Sequence, residues 1–96
     1  MATYRLYTGR KTVTLNGTAE ALTAGSTPAA IVVITAESNN TNAVTVGGAE
    51  VVGAVATRQG TPLNAGDHVT FYEVNLAEIY VDSITNTEGV TFTYEV

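Results

Sequence analysis

The sequence predicts an all-β protein: one β-sandwich domain, jelly-roll-like, of about seven to nine short strands. Threonine and valine are abundant, and β-branched side chains fit a pleated, half-buried surface. Short runs of alternating apolar and polar residues are separated by Gly, Asn and Pro at intervals of about 8 to 12 residues. No segment shows the 3.6-residue apolar period that is typical of an amphipathic helix.

The first elements are marked by turn residues. We predict strands over residues 4–8 and 11–15, joined by a turn at Gly9-Arg10, with Val13 and Leu15 on one face. Asn16-Gly17 predicts the next turn, because this dipeptide accepts positive φ. Residues 18–24 are ambiguous and fit either a short strand or one helical turn.

The middle of the chain carries the longest apolar run. Residues 30–36 (AIVVITA) predict a central strand covered on both faces, since its apolar residues are continuous rather than alternating. After the polar loop 37–42, residues 43–46 predict a strand that ends at Gly47-Gly48. Residues 50–56 predict another strand.

The last third of the chain shows the clearest alternation. Residues 68–74 and 78–83 predict two strands, with a bend between them, and the turn 86–89 leads to a final strand over 90–96. In this final strand Val90, Phe92 and Tyr94 alternate with polar residues, so one face is apolar and the other wet. We expect the strand either inside a sheet or at an edge open to another subunit.

Length and composition limit the organisation of the protein. The 96 residues form a single domain, 1–96, and the absence of cysteine excludes disulfides and thiolate metal sites. The start has no apolar stretch typical of a signal peptide. The longest apolar run is far shorter than the roughly 20 residues that span a bilayer. We therefore expect no membrane partner and synthesis in a cytoplasm.

Charge is distributed unevenly along the chain. The net charge is −5, which argues against a nucleic-acid partner bound through its phosphates. Residues 1–11 carry +3, from Arg5, Arg10 and Lys11, whereas residues 12–96 carry −8. The basic segment is either an N-terminal arm that docks on an acidic partner or a solvated first hairpin. Arg5, Arg10 and Lys11 are thus candidate docking residues.

The only histidine follows an aspartate, in the stretch PLNAGDHVTF. A catalytic pair needs the two side chains within hydrogen-bond reach. Successive side chains of a strand point to opposite faces, so Asp67 and His68 should diverge. We interpret Asn64-Ala65-Gly66 as a turn, Asp67 as its exit and His68 as the start of a strand. No catalytic residue is predicted.

Three further patterns are candidates for binding sites: a glycine-rich segment, a group of oxygen-bearing side chains and two tyrosines. The glycine-rich residues 47–53 lack the GK[ST] ending of a phosphate-binding loop. Residues 82–89 group oxygen donors (Asp82, Asn86 and Glu88), but their spacing does not fit the twelve-residue calcium loop. We predict neither metal nor cofactor. Tyr72 and Tyr80 should face outward and could stack on a sugar, although packing on the sheet surface or at a subunit interface is the interpretation that we favour.

The order of several short motifs resembles a family of small β-rich virion proteins of tailed bacteriophages. The motifs are N-T-x-x-V-x-V-G-G at 40–48, P-L-x-A-G at 62–66, N-L-x-x-I-Y-V at 75–81 and G-V-T-x-x-Y at 89–94. The resemblance covers residues 18–94 and rests mostly on turn and core positions. Members of this family are head decoration (cement) proteins or parts of fibres.

The resemblance implies a non-enzymatic structural role. We expect a capsid decoration protein that binds the major capsid protein as a dimer or trimer, stabilises the shell and resides on the virion surface. The alternative that the resemblance leaves open is a carbohydrate-binding or fibre-associated module for host attachment. The basic segment 1–11 lies outside the resemblance, so its docking role rests on charge alone.

Overall fold

The computed structural model describes residues 5–96 and is all-β, with two four-stranded antiparallel sheets and almost no helix. Residues 55–57 and 76–78 form short 3-10 helices. The strands are β1 (Leu6–Thr12), β2 (Glu20–Ala21), β3 (Pro28–Ala36), β4 (Val44–Gly47), β5 (Thr61–Leu63), β6 (His68–Asn75), β7 (Tyr80–Ser83) and β8 (Gly89–Glu95).

The two sheets are built from nested strand pairs. The order is β1-β8-β3-β6 in the first sheet and β2-β7-β4-β5 in the second. The first strand therefore pairs with the last, the second with the seventh, the third with the sixth and the fourth with the fifth. Two further pairs, β3 with β8 and β4 with β7, join these into sheets.

One buried cluster draws on both sheets. The largest fully buried side chains of this cluster come from the first sheet, the second sheet and the loops. The two sheets and the loops therefore share one apolar core. Each such side chain contributes about 1.5 to 3 kcal/mol on burial. The cluster includes Val32, Ile34, Val90 and Phe92 of the first sheet, Val44, Val46 and Val81 of the second, and Val13, Leu22 and Leu76 from the loops and the second 3-10 helix.

The predicted hairpin of strands 4–8 and 11–15 is wrong over residues 5–15, which the structure describes. Strand β1 runs without a turn through Gly9, which pairs with Phe92 of β8. The Phe92 ring lies over this glycine: a Cβ there would stand 2.5 Å from Phe92 Cζ. Gly9 thus makes room for a core aromatic instead of reversing the chain. Because β1 ends at Thr12, the side chains beyond it no longer alternate between two faces. Val13 is buried and Leu15 is 58% exposed, so the two do not share a face as predicted.

Two other predicted strands differ from the structure. Residues 50–56 form no extended strand; Val52 makes a single bridge to Gln59, and a 3-10 helix follows. The backbone here presses on β7, since a Cβ at Gly53 would lie 2.9 Å from Ser83 N. In β3, Val32 and Ile34 are buried while Ile31 and Val33 are only half-buried, so the strand is covered on one face rather than both.

Other predictions are confirmed. Gly17 and Gly66 adopt φ of +82° and +86° in the predicted turns. Strand β6 lies where alternation placed it, and the ambiguous segment 18–24 contains only the two-residue strand β2. The final strand, β8, lies between β1 and β3, inside a sheet rather than at its edge.

Candidate functional site

The outward face of the first sheet carries three ordered rows of side chains. Strand register aligns alternate residues of β1, β8, β3 and β6 across the whole sheet. The rows are Leu6, Glu95, Ile31 and Tyr72; Thr8, Thr93, Val33 and Thr70; and Arg10, Thr91, Thr35 and His68. We call this surface the threonine face.

The sequence produces this face by alternation. Because Val32, Ile34 and Phe92 enter the core, their neighbours in the same strands must point the other way. Leu6 and Tyr72 are each 70% exposed at the corners of the face. They stand at opposite edges of the sheet, separated by the half-buried Glu95 and Ile31.

The second sheet is different, since part of it is covered by its own chain. Thr45 and Asp82 are opposite one another in β4 and β7 and are 0% and 1% exposed. The segment around Gly53 and Gly60 lies against them: Gly53 N donates to Asp82 Oδ2 at 2.8 Å, and a Cβ at Gly60 would stand 3.0 Å from Thr45 Cγ2. The threonine face is therefore the more accessible sheet surface.

Two of the three candidate docking residues, Arg10 and Lys11, form ion pairs within the chain, and the third, Arg5, is exposed. Arg10 lies on the threonine face and donates from both Nε and Nη2 to Glu37, with Nη2 at 3.0 Å from Oε1. Lys11 Nζ lies 2.9 Å from Glu20 Oε1. Arg5 is exposed, and its backbone pairs with Val96. Arg10 and Lys11 thus balance carboxylates of their own chain, and their docking role stays a prediction.

Glu20 organises the turn that follows β1. Its carboxylate accepts hydrogen bonds from Thr14 N at 3.0 Å, Thr14 Oγ1 at 2.9 Å and Leu15 N at 2.9 Å. Partial burial acts to raise the pKa of this carboxyl, but Lys11 and these donors outweigh it and lower the pKa to about 2. Likewise the hydrogen bond from Arg10 lowers the pKa of Glu37.

We predict that Glu20→Gln destabilises the protein at neutral pH by about 1 kcal/mol, because the amide gives up charge-assisted hydrogen bonds. The folded pKa of Glu20 lies below its ordinary 4.5. Its contribution is therefore present above pH 4.5 and is lost as the pH falls towards about 2. The gap in Tm between wild type and variant, measured by circular dichroism, should close across that window.

Glu50→Gln is the matched control for this experiment. Glu50 is exposed, and no hydrogen bond or ion pair to it is found among residues 5–96. Its substitution should leave Tm unchanged at neutral pH. A Tm gap for Glu20→Gln that stays constant down to pH 2 would contradict the proposed role of the carboxylate.

The two candidate surface tyrosines do not share a surface. Tyr72 belongs to β6 in the first sheet and points outward as predicted, whereas Tyr80 belongs to β7 in the second sheet and is half-buried. Sequence reasoning missed a different aromatic pair, Tyr7 and Tyr94, whose rings stack at 5.4 Å between centroids. These residues are direct partners in β1 and β8, a pairing that the mistaken first hairpin concealed.

The Asp67-His68 dipeptide is a turn exit, as predicted. Asp67 Oδ2 accepts from Asn64 N at 3.1 Å, and Asp67 N donates to Asn64 O at 2.8 Å, which closes the turn. His68 starts β6 on the threonine face, beside Thr35. The aspartate is thus bound to its own turn and does not orient the histidine.

The side-chain oxygens of Asp82, Asn86 and Glu88 hold neighbouring loops of the chain, and Asp82 and Asn86 both hold the turn at Asn16-Gly17. Asp82 accepts from the backbone of Gly17 and Gly53, as Asn86 does from Asn16. Glu88 accepts from Asn42 N at 2.6 Å. Their oxygens are therefore used as internal hydrogen-bond acceptors. Within residues 5–96 no group of three or more His, Cys, Asp or Glu is placed to hold a metal ion.

The glycine-rich segment lines a small open cleft of about 250 Å³. Its walls are Gly47, Gly48, Glu50, Val51, Gln59 and Gly60. These walls contain one carboxylate and no nucleophilic side chain, so the cleft offers no acid–base pair for catalysis.

Over the described range 5–96 there is no helix of the length and apolar character that a membrane crossing requires.

Comparison with known proteins gives no family for this chain. No protein-family model, curated protein or solved structure matches it.

Proposed function

We propose that the two sheets form a β-sandwich with jelly-roll topology. The nested pairs β1·β8, β2·β7, β3·β6 and β4·β5 support this assignment, because rolling up one long antiparallel ribbon produces that pairing. The single core cluster drawn from both sheets supports face-to-face packing.

From this architecture we infer a non-enzymatic structural role in a tailed-phage virion, as a capsid decoration protein that binds the major capsid protein. The observation that carries the proposal is the strand order, because jelly rolls are a recurrent architecture of viral capsid domains. This support is an analogy of architecture. The motif order in residues 18–94 adds to it independently.

The threonine face is the docking surface in this proposal. Four strands about 4.8 Å apart, with seven residues rising about 3.4 Å each, give a footprint of roughly 450 Å². A stable interface buries about 800 Å² per partner. One copy would therefore bind weakly, and a dimer or trimer would gain its affinity by engaging several capsid subunits together.

Such an assembly would reinforce the shell by bridging neighbouring subunits. Each 1.4 kcal/mol of added contact shifts their association about tenfold. The threonine face suits this task, because its short β-branched side chains lose little conformational freedom when they are buried.

Co-sedimentation of the purified protein with empty mature capsids of its source phage tests this function. We expect saturable binding at low salt. Because Arg10 and Lys11 are held by carboxylates of their own chain, that binding should weaken only modestly at high salt. A protein that stays in the supernatant at both salt concentrations would rule out the decoration role.

The alternative is a carbohydrate-binding module of a fibre or attachment structure. Two observations support sugar binding: Tyr72 is 70% exposed beside Ile31, and jelly rolls also include lectin domains. Since Tyr80 lies in the other sheet, Tyr72 would be the stacking residue. A glycan array with hits that vanish in Tyr72→Ala would favour this alternative over capsid binding.

A further inference from the structure

The chain contains one Asn-Gly dipeptide, Asn16-Gly17, in the exposed turn between β1 and β2. In such a dipeptide the glycine nitrogen can attack the asparagine amide carbon, since no Cβ hinders its approach. A bond forms between Gly17 N and Asn16 Cγ, and Nδ2 leaves as ammonia. Water then opens the cyclic imide to aspartate or isoaspartate. The net reaction consumes one water and needs no other reactant.

The attacking atom is restrained by Asp82. Gly17 N donates to Asp82 Oδ1 at 2.9 Å, and Asp82 is only 1% exposed. To reach Asn16 Cγ, the Gly17 nitrogen must turn away and leave the buried carboxylate one donor short. The nitrogen must also lose its proton to attack, and a neighbouring anion disfavours negative charge there.

The leaving group is restrained as well. Asn86 Oδ1 accepts from Asn16 Nδ2 at 2.8 Å and from Asn16 N at 2.7 Å. These two hydrogen bonds hold the side chain and the backbone of Asn16 together against the last turn of the chain. Both reacting residues are thus held in place, although the dipeptide itself is open to water.

We propose that Asn16-Gly17 is a deamidation site that the folded protein keeps unreactive through Asp82 and Asn86. Local opening of the turn would expose it to reaction. The isoaspartate product adds one carbon to the backbone, which displaces Gly17 N from Asp82, so the original turn cannot re-form. Because ammonia is lost whichever product forms, the modification is a one-way ageing step, and its rate reports on how often this turn opens.

Peptide mapping by mass spectrometry measures the rate. The folded protein and a synthetic peptide of residues 12–22 are incubated in the same mildly alkaline buffer at the same temperature. We expect the folded protein to deamidate at Asn16 about 10- to 100-fold more slowly, as the loss of a hydrogen bond to a charged group implies. Equal rates in protein and peptide would overturn the proposal.

Two variants test the restraint itself. Asp82→Asn should accelerate deamidation about tenfold relative to Ile34→Val, a core variant that loses stability but keeps Asp82. Equal rates in these two, after correction for their Tm values, would show that global stability alone protects the site. If Asp82→Asn does not fold, Asn86→Ala serves instead. It should react several-fold faster than wild type, and an unchanged rate would overturn the role of the restraint.

Discussion

Asp82→Ala is expected to lower the free energy of unfolding by roughly 2 to 5 kcal/mol, among the largest effects of any single substitution here. The substitution removes the acceptors of Gly17 N and Gly53 N, which lie 2.9 and 2.8 Å away. Burial prevents water from replacing the acceptor of Gly53. For a domain of about 100 residues this is a fall in Tm of at least about 10 °C.

Asp67→Ala is the matched control for this prediction. Asp67 is an exposed aspartate that accepts one backbone hydrogen bond, from Asn64, so its loss should cost about 1 kcal/mol or less. Chemical denaturation with urea measures both variants. If Asp82→Ala were no more destabilising than Asp67→Ala, the buried carboxylate would not be the link between the turn at Gly17 and the segment at Gly53.

Ile34→Ala is expected to cost about 2 to 5 kcal/mol through the cavity that it creates. Ile34 is fully buried in β3 and is paired with Val69 on one side and Phe92 on the other. The neighbouring strands are held by backbone hydrogen bonds, which limits how far the site can collapse. Urea denaturation should show a lower midpoint with an unchanged slope.

Ile84→Ala provides the comparison. Ile84 is 45% exposed and lies outside the core cluster, so its truncation should change stability by about 0.5 kcal/mol or less. Similar losses for the two isoleucines would contradict the placement of the core.

The all-β class and the later strands could be predicted because local pattern decides them. In β8, Val90 and Phe92 alternate with Thr91 and Thr93, and burial follows the same alternation. The turns at Gly17 and Gly66 could be predicted because positive φ favours glycine for steric reasons that hold in any context.

The elements that sequence reasoning missed are decided by tertiary contacts. Gly9 has the local signature of a turn, but it lies under the ring of Phe92, and Phe92 is more than 80 positions away in the sequence. The segment 50–56 has strand composition, yet contact with Ser83 and the hydrogen bond from Gly53 to Asp82 prevent an extended ladder. Such long-range contacts override local propensity.

The candidate site was only partly predictable for the same reason. The outward directions of His68, Thr70 and Tyr72 follow from alternation within one strand, and the structure places them so. Their alignment with β1 and β8 depends on register between distant segments, which no local pattern specifies. The ion pairs of Arg10 with Glu37 and of Lys11 with Glu20 likewise depend on tertiary structure rather than on a local pattern.

We propose that the threonine face binds the capsid, and one charge placed at the middle of this face tests that proposal. Thr93 is exposed in the central row, and Thr61 is an exposed strand threonine of the second sheet. Co-sedimentation with empty capsids should show binding reduced at least tenfold by Thr93→Arg, which places an unpaired charge in the contact, and unchanged by Thr61→Arg. Wild-type binding by a folded Thr93→Arg variant would contradict the claim.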